Sequence, residues 1–246
     1  MARKKEVRKR PAVRVIAAFA AAAVILAVGI GVFFNINEIT VTGVGDNYTE
    51  EEIINASGLK IGRSLLFTDT IAAQERVKDV CPYVSAVTIT KEYPSKIIID
   101  LRESSVSAAV EFKGEMWLLD QNCRVLGKAE PEQQCMVITG ITVKKVSVGS
   151  TVEIDDDYIT KLDCLKTILA SMSGDDFAKR VTELDITNIG HIELSIGKQY
   201  TIKIGSSEKL EYKLSRAESV ISQLTDEKPA VIDVSKDGET YVTPQG

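Results

Sequence analysis

Val84-Ser85-Ala86-Val87-Thr88-Ile89-Thr90-Lys91-Glu92-Tyr93-Pro94-Ser95-Lys96-Ile97-Ile98-Ile99-Asp100-Leu101-Arg102-Glu103 reads as two strands joined by a turn. Over residues 84–91, Val87 and Ile89 alternate with Thr88 and Thr90, the two-residue period of a half-buried strand. Tyr93-Pro94 interrupts the run, because proline cannot donate to a ladder. Residues 96–103 resume it, with Ile97, Ile99 and Leu101 on the core face. Upstream, Asp69 is placed to cap a helix through Ile71 and Val77 that Pro82 ends. Before that, Thr49-Glu50-Glu51-Glu52 is a capping-box pattern opening a helix that closes at Ser57-Gly58, with Gly58 suited to a left-handed cap. Residues 36–42 form a strand with Ile39 and Val41 inward, and Gly43 to Asn47 a turn. The order β-α-α-β-β over residues 35–104 predicts a two-layer α+β unit.

Residues 15–34 precede this unit and carry no charge. Twenty residues at 1.5 Å each reach about 30 Å, the hydrocarbon thickness of a bilayer. Eleven of the twenty are Val, Ile, Leu or Phe, which favours insertion by about 5 kcal/mol at most. The formal charge of −5 conceals a split. Residues 1–14 hold seven basic residues against Glu6, a net of +6, leaving 23 basic and 34 acidic residues, −11, for the rest. Arg3, Lys4, Lys5, Arg8, Lys9, Arg10 and Arg14 should hold the N-terminus inside as a cytoplasmic tail, with residues 35–246 outside. A cleaved signal peptide fits less well, because the apolar run is too long and Phe33-Phe34-Asn35 offers no small-x-small cleavage site. The acidic body argues against nucleic-acid binding, which needs cations at the phosphates.

Residues 105–246 read as a mixed β domain with two helices. Residues 106–112, 116–119, 124–126 and 136–139 are short strands, with Asp120 to Cys123 as a turn. Tyr158, Leu162, Leu165, Leu169 and Met172 recur at helical spacing. Residues 181–186, 191–196 and 200–204 form a meander. A second helix spans residues 210–224, with Leu214, Ala217, Ile221 and Leu224 inward. Residues 231–234 and 240–242 are the last strands, turned by Lys236-Asp237-Gly238.

Several of these pieces resemble a POTRA domain: Ile39-Thr40-Val41-Thr42-Gly43, Ile61-Gly62-Arg63-Ser64-Leu65-Leu66, Val84-Ser85-Ala86-Val87 and Tyr93-Pro94-Ser95-Lys96-Ile97-Ile98-Ile99. One POTRA domain directly after an N-in anchor is similar to the bacterial FtsQ/DivIB division proteins. The hairpin after residue 105, Lys209-Leu210 with Leu214, and Val231-Ile232-Asp233-Val234 extend the likeness. Family members often continue the final Asp-Leu with Arg and an aromatic residue, whereas this chain continues Asp233-Val234-Ser235-Lys236. The resemblance implies a single-pass scaffold at the division septum that supports peptidoglycan synthesis. Its implied partners are FtsL-type and DivIC/FtsB-type single-pass proteins and, less directly, the septal transpeptidase complex. It also implies that an FtsB-type partner binds the end of the β domain.

Residues 231–234 near the chain's end are expected to form a sheet edge, to which a partner segment can add as a strand. The candidate contacts are Val231, Asp233, Ser235, Tyr241 and Val242, with Tyr241 as the aromatic anchor and Ile232 and Val234 sealing the core. No catalytic, metal or cofactor site and no small-molecule substrate is expected. His191 stands alone in an alternating strand beside a turn and reads as structural. No HExxH, GxSxG, Walker A or GxGxxG motif occurs. Ser64, Ser95 and Ser206 lie in turn-like contexts without a signature. Asp155-Asp156-Asp157 lacks the spaced ligands of a calcium loop and reads as a helix N-terminus. Cys81, Cys123, Cys135 and Cys164 form no CxxC pair; they are free core thiols or one of three complete disulfide pairings. Two rival readings are a POTRA-bearing export component and an anchored extracytoplasmic enzyme.

Overall fold

The computed structural model describes residues 10–155, 158–174, 176–224 and 228–245. The described residues divide into two compact units: residues up to 80 with 86–102, and residues 81–85 with those from 103 onward.

The first unit begins with α1, Arg10–Phe33, of 24 residues. Among the described residues no helix is long and apolar enough to cross a membrane. The side chains at positions 10–14, 27, 30 and 32 lie outside that description, as do residues 1–9 and most of the basic tail. Strands β1 (Glu38–Thr42), β2 (Val84–Glu92) and β3 (Lys96–Glu103) form one sheet in the order β1-β3-β2, with β1 and β3 parallel. Helices α2 (Glu50–Ser57) and α3 (Thr70–Val80) complete the expected β-α-α-β-β order. Both helix starts are as the sequence predicts. Thr49 Oγ1 accepts the Glu52 N–H at 3.3 Å, and Glu52 Oε2 accepts the Thr49 N–H at 2.8 Å. Asp69 Oδ1 accepts the N–H groups of Ile71 and Ala72. Gly58, at φ 69°, ends α2. The α2 terminus is then tied to α3 by Arg76 Nε, which donates to Ser57 O at 2.9 Å. Ile53, Ala73, Val77, Ile97 and Ile99 are fully buried in this core.

The second unit is built on nine strands: β4 (Ala108–Phe112), β5 (Glu115–Leu119), β6 (Val125–Lys128), β7 (Val137–Thr139), β10 (Glu183–Asp185), β11 (Ile192–Ile196), β12 (Tyr200–Gly205), β13 (Ala230–Asp233) and β14 (Tyr241–Pro244). Their order across the sheet is β14-β13-β12-β11-β10-β7-β4-β5-β6. A separate pair, β8 (Val143–Lys145) and β9 (Glu153–Ile154), and a 3-10 turn at Ala178–Arg180 are elements that the sequence reading did not include. Helices α4 (Tyr158–Met172) and α5 (Leu210–Gln223) supply Leu165, Ile168, Leu214 and Ala217 to one core with Leu184, Leu194, Ile202 and Ile232 of the sheet. Burying each such Leu or Ile is worth roughly 1.5–3 kcal/mol.

One expectation is corrected by this topology. The strand at residues 231–234 is not the sheet edge: β13 lies between β12, to which it is parallel, and β14, to which it is antiparallel. The chain turns back after Gly238, and β14 takes the free side.

Candidate functional site: the β14 edge

The turn between β13 and β14 is held from two sides. Asp233 Oδ1 accepts the Ser235 N–H at 2.9 Å and the Ser235 hydroxyl at 2.6 Å. Partial burial opposes ionisation of Asp233. The two Ser235 donors, with Lys203 and Lys236 nearby, outweigh it and leave the carboxyl below its ordinary value. From α5, Arg216 donates to Lys236 O at 3.1 Å and to the Thr240 hydroxyl. Lys209, just before α5, pairs with Asp237; that contact lowers the Asp237 carboxyl and raises the Lys209 ammonium. Beyond the turn, the Tyr241 hydroxyl donates to Glu239 Oε2 at 2.7 Å.

The register separates side chains from main chain at this edge. Asp233 pairs with Tyr241, Ile232 with Val242 and Val231 with Thr243. Ile232 and Val234 are fully buried, as expected. Val231 and Asp233 are half-buried on the opposite face, which Tyr241 and Thr243 share. The same face continues along a row from Tyr241 through Asp233, Lys203 and Glu193 to Asp185. Val242 belongs to the core-side face with Ile232, so its side chain is separated from the other four candidates.

Its main chain has a different place. Gln245 N donates to Pro229 O at 2.7 Å. Hydrogen-bonded and non-bonded pairs alternate in an antiparallel ladder, so Thr243 and Tyr241 turn their main-chain groups toward β13. Val242 and Pro244 turn theirs outward. Pro244 has no N–H to offer, which leaves the Val242 N–H and C=O and the Pro244 C=O along the free side of the strand. All four β14 residues are exposed, Tyr241 at 53% and Val242 at 41%. The site therefore gathers Val231, Asp233, Ser235 and Tyr241 on one surface, beside an outward main chain at Val242.

The sequence reading missed Thr243 and Pro244 as the outermost residues, and Lys209 and Arg216 as the groups that fasten the turn. A proline inside a strand is confined to edges, so Pro244 was the available signal. Lys209 and Arg216 sit on another element, and no local pattern links them to the turn.

The other candidate chemistry stays dispersed. His191 is exposed, and its backbone N–H donates to Asn188 O at 2.9 Å. Buried Lys213 donates to the Ser206 main-chain carbonyl at 2.9 Å, not to a serine hydroxyl. The four cysteines form no disulfide with one another, and burial pushes the Cys123 thiol up to about 12. Among the described residues, no three His, Cys, Asp or Glu side chains are grouped to hold a metal. Asp156 and Asp157 lie outside the described residues.

A β-α-α-β-β unit followed by a mixed sheet with two helices defines a POTRA-bearing protein with a second, mixed β domain. Sequence comparison agrees in both halves. The family profile for the POTRA domain, FtsQ-type, matches residues 34–104, and that for the cell division protein FtsQ/DivIB C-terminal region matches residues 108–235. The chain belongs to the FtsQ/DivIB family of cell division proteins. It is 26% identical over 211 residues to the cell division protein DivIB of Clostridium botulinum strain Hall, covering 84% of this chain and 80% of the relative. It is 24% identical over 217 residues to the DivIB of Clostridium tetani strain Massachusetts, covering 85% and 79%.

Proposed function

We propose that this chain is a bitopic, non-catalytic scaffold of the bacterial division complex, anchored by α1, with its two units outside the cell. It recruits a single-pass partner by adding a partner strand to β14. The anchor reading is supported by the uncharged run of residues 15–34 and the excess of cations before it. It is also supported by α1 itself, whose apolar Ile16, Phe19, Val24, Ile25 and Leu26 are all exposed among the described residues. A helix apolar on every side is stable only in an apolar medium. The partners implied by family membership are FtsL-type and DivIC/FtsB-type proteins, acting with the septal transpeptidase complex in support of septal peptidoglycan synthesis. Pairing within the membrane and ectodomain contact together raise the effective concentration, so each contact alone need only be weak.

The observation that carries the binding reading is the side of β14 that no strand pairs among the described residues, an exposed strand with outward Val242 main-chain groups at one end of the nine-stranded sheet, whose other end is β6. Main-chain pairing tolerates side-chain change, which fits a site whose Ser235-Lys236 departs from the usual family residues. Val231, Asp233, Ser235 and Tyr241 then form the side-chain surface beside the added strand, and Val242 contributes through its backbone. The test is affinity for a purified DivIC/FtsB-type ectodomain. Deleting residues 236–246 should abolish binding while the first unit stays folded; undiminished affinity of the truncated chain would sink the proposal.

A further inference from the structure

The first unit carries an apolar patch that the β14 reading does not use. In the segment between α2 and α3, Phe67 is 90% exposed and Ile61 69%, and Ile71 at the start of α3 is 68% exposed. Isolated exposed apolar residues are ordinary, but three within eleven positions, with Leu66 also exposed, concentrate apolar surface in one segment.

Its location is fixed by the main chain. Leu65 N donates to Phe34 O at 2.8 Å, Ile36 N to Arg63 O at 2.8 Å and Gly62 N to Ile36 O at 2.7 Å. The patch is thus laced to the three residues that follow α1. The β2–β3 turn joins the same place: Asn37 N donates to Ser95 O, and the Tyr93 ring packs edge-on against Phe34 at 6.0 Å. Laddered residues lie about 5 Å apart and each further residue adds at most about 3.6 Å, so Phe67 lies within about 12 Å of Phe34. The headgroup layer and the depth reached by interfacial apolar residues are together on that scale. Cations frame the patch: Lys60 and Arg63 are exposed, and Lys91 donates to Leu66 O at 3.1 Å. Nearby Asp69 and Glu92 offset part of this charge. An apolar centre with a cationic border suits the anionic surface of a bilayer.

We infer that Ile61, Phe67 and Ile71 insert into the outer membrane–water interface, with Lys60 and Arg63 against anionic headgroups. This second foothold fixes how the first unit stands on the bilayer. The inference rests on α1 being the anchor. The test uses the full chain in phosphatidylglycerol-containing vesicles with lipids brominated near the glycerol end of the acyl chain. Trp117 is the single native tryptophan and lies in the second unit, so it serves as the reference. Phe67→Trp should show blue-shifted emission that the brominated lipid quenches well beyond Trp117, and Phe33→Trp should be quenched as the anchor control. Lys60→Gln with Arg63→Gln should weaken the Phe67→Trp quenching but not that of Phe33→Trp. Water-like, unquenched Phe67→Trp emission beside a quenched Phe33→Trp overturns the inference and leaves the anchor standing. Loss of quenching at both positions overturns the anchor reading as well.

Discussion

Val242 is where the account is most exposed to test at the scale of a residue. Its N–H points away from β13, whereas that of Thr243 points into the ladder. Val242→Pro should leave the unfolding midpoint nearly unchanged yet weaken partner affinity about tenfold or more, since one lost hydrogen bond is worth about 1 kcal/mol and proline also blocks close approach. Thr243→Pro should instead loosen the hairpin itself. Calorimetric titration and thermal unfolding of the two variants separate the cases; a lowered midpoint for Val242→Pro would contradict the assigned alternation, and affinity equal to the parent's would contradict strand addition at Val242. Asp233 makes a second prediction. Its carboxyl is lowered from 3.8 mainly by the Ser235 donors, against the effect of burial. A lowered carboxylate stabilises the fold above its unfolded value near 4, and that contribution disappears as pH falls through the folded value. Hydrogen-exchange protection of β14 should therefore drop in acid below about pH 4. Asp233→Asn should flatten that dependence, and an unchanged pH profile in the variant would rule out Asp233 as its source.

At the scale of elements, the first unit was legible because its signals are local. The Thr49–Glu52 capping box, the Asp69 cap, Gly58 and the alternation of Val87, Ile89, Ile97 and Ile99 each act within a few residues, and the structure reproduces them. Thr49→Ala should accordingly cost about 1 kcal/mol. Leu214→Ala, which removes a buried side chain from α5 beneath the sheet, should cost about 2–5 kcal/mol. Urea unfolding monitored separately in each unit reads both, and a neutral Leu214→Ala would mean that α5 is not packed as described. What the sequence did not show has a physical reason too. Strands β8 and β9 and the 3-10 turn at Ala178–Arg180 are two or three residues long, too short for any period to register. Alternation at Ile232 and Val234 gives the faces of β13 but not its neighbours. Which strand becomes the edge depends on how the Ser235–Thr240 turn folds back, and Lys209 and Arg216 of a distant segment hold that turn. Edge position is thus a tertiary property that only Pro244 foreshadowed.

At the scale of the whole molecule, charge divides the chain unevenly. The N-terminal fourteen residues carry +6 and the remainder −11. If α1 is the anchor, protease added to intact protoplasts should remove the ectodomain and spare a short N-terminal fragment; a fully protected ectodomain would reverse the orientation. The proposed binding requires one thing of the second unit, that β14 accept a partner strand through its backbone. The Val242 amide reports this directly. Its exchange should be fast in the free protein and markedly slowed when a DivIC/FtsB-type ectodomain saturates the complex. Unchanged Val242 exchange in a fully formed complex would contradict strand addition at β14.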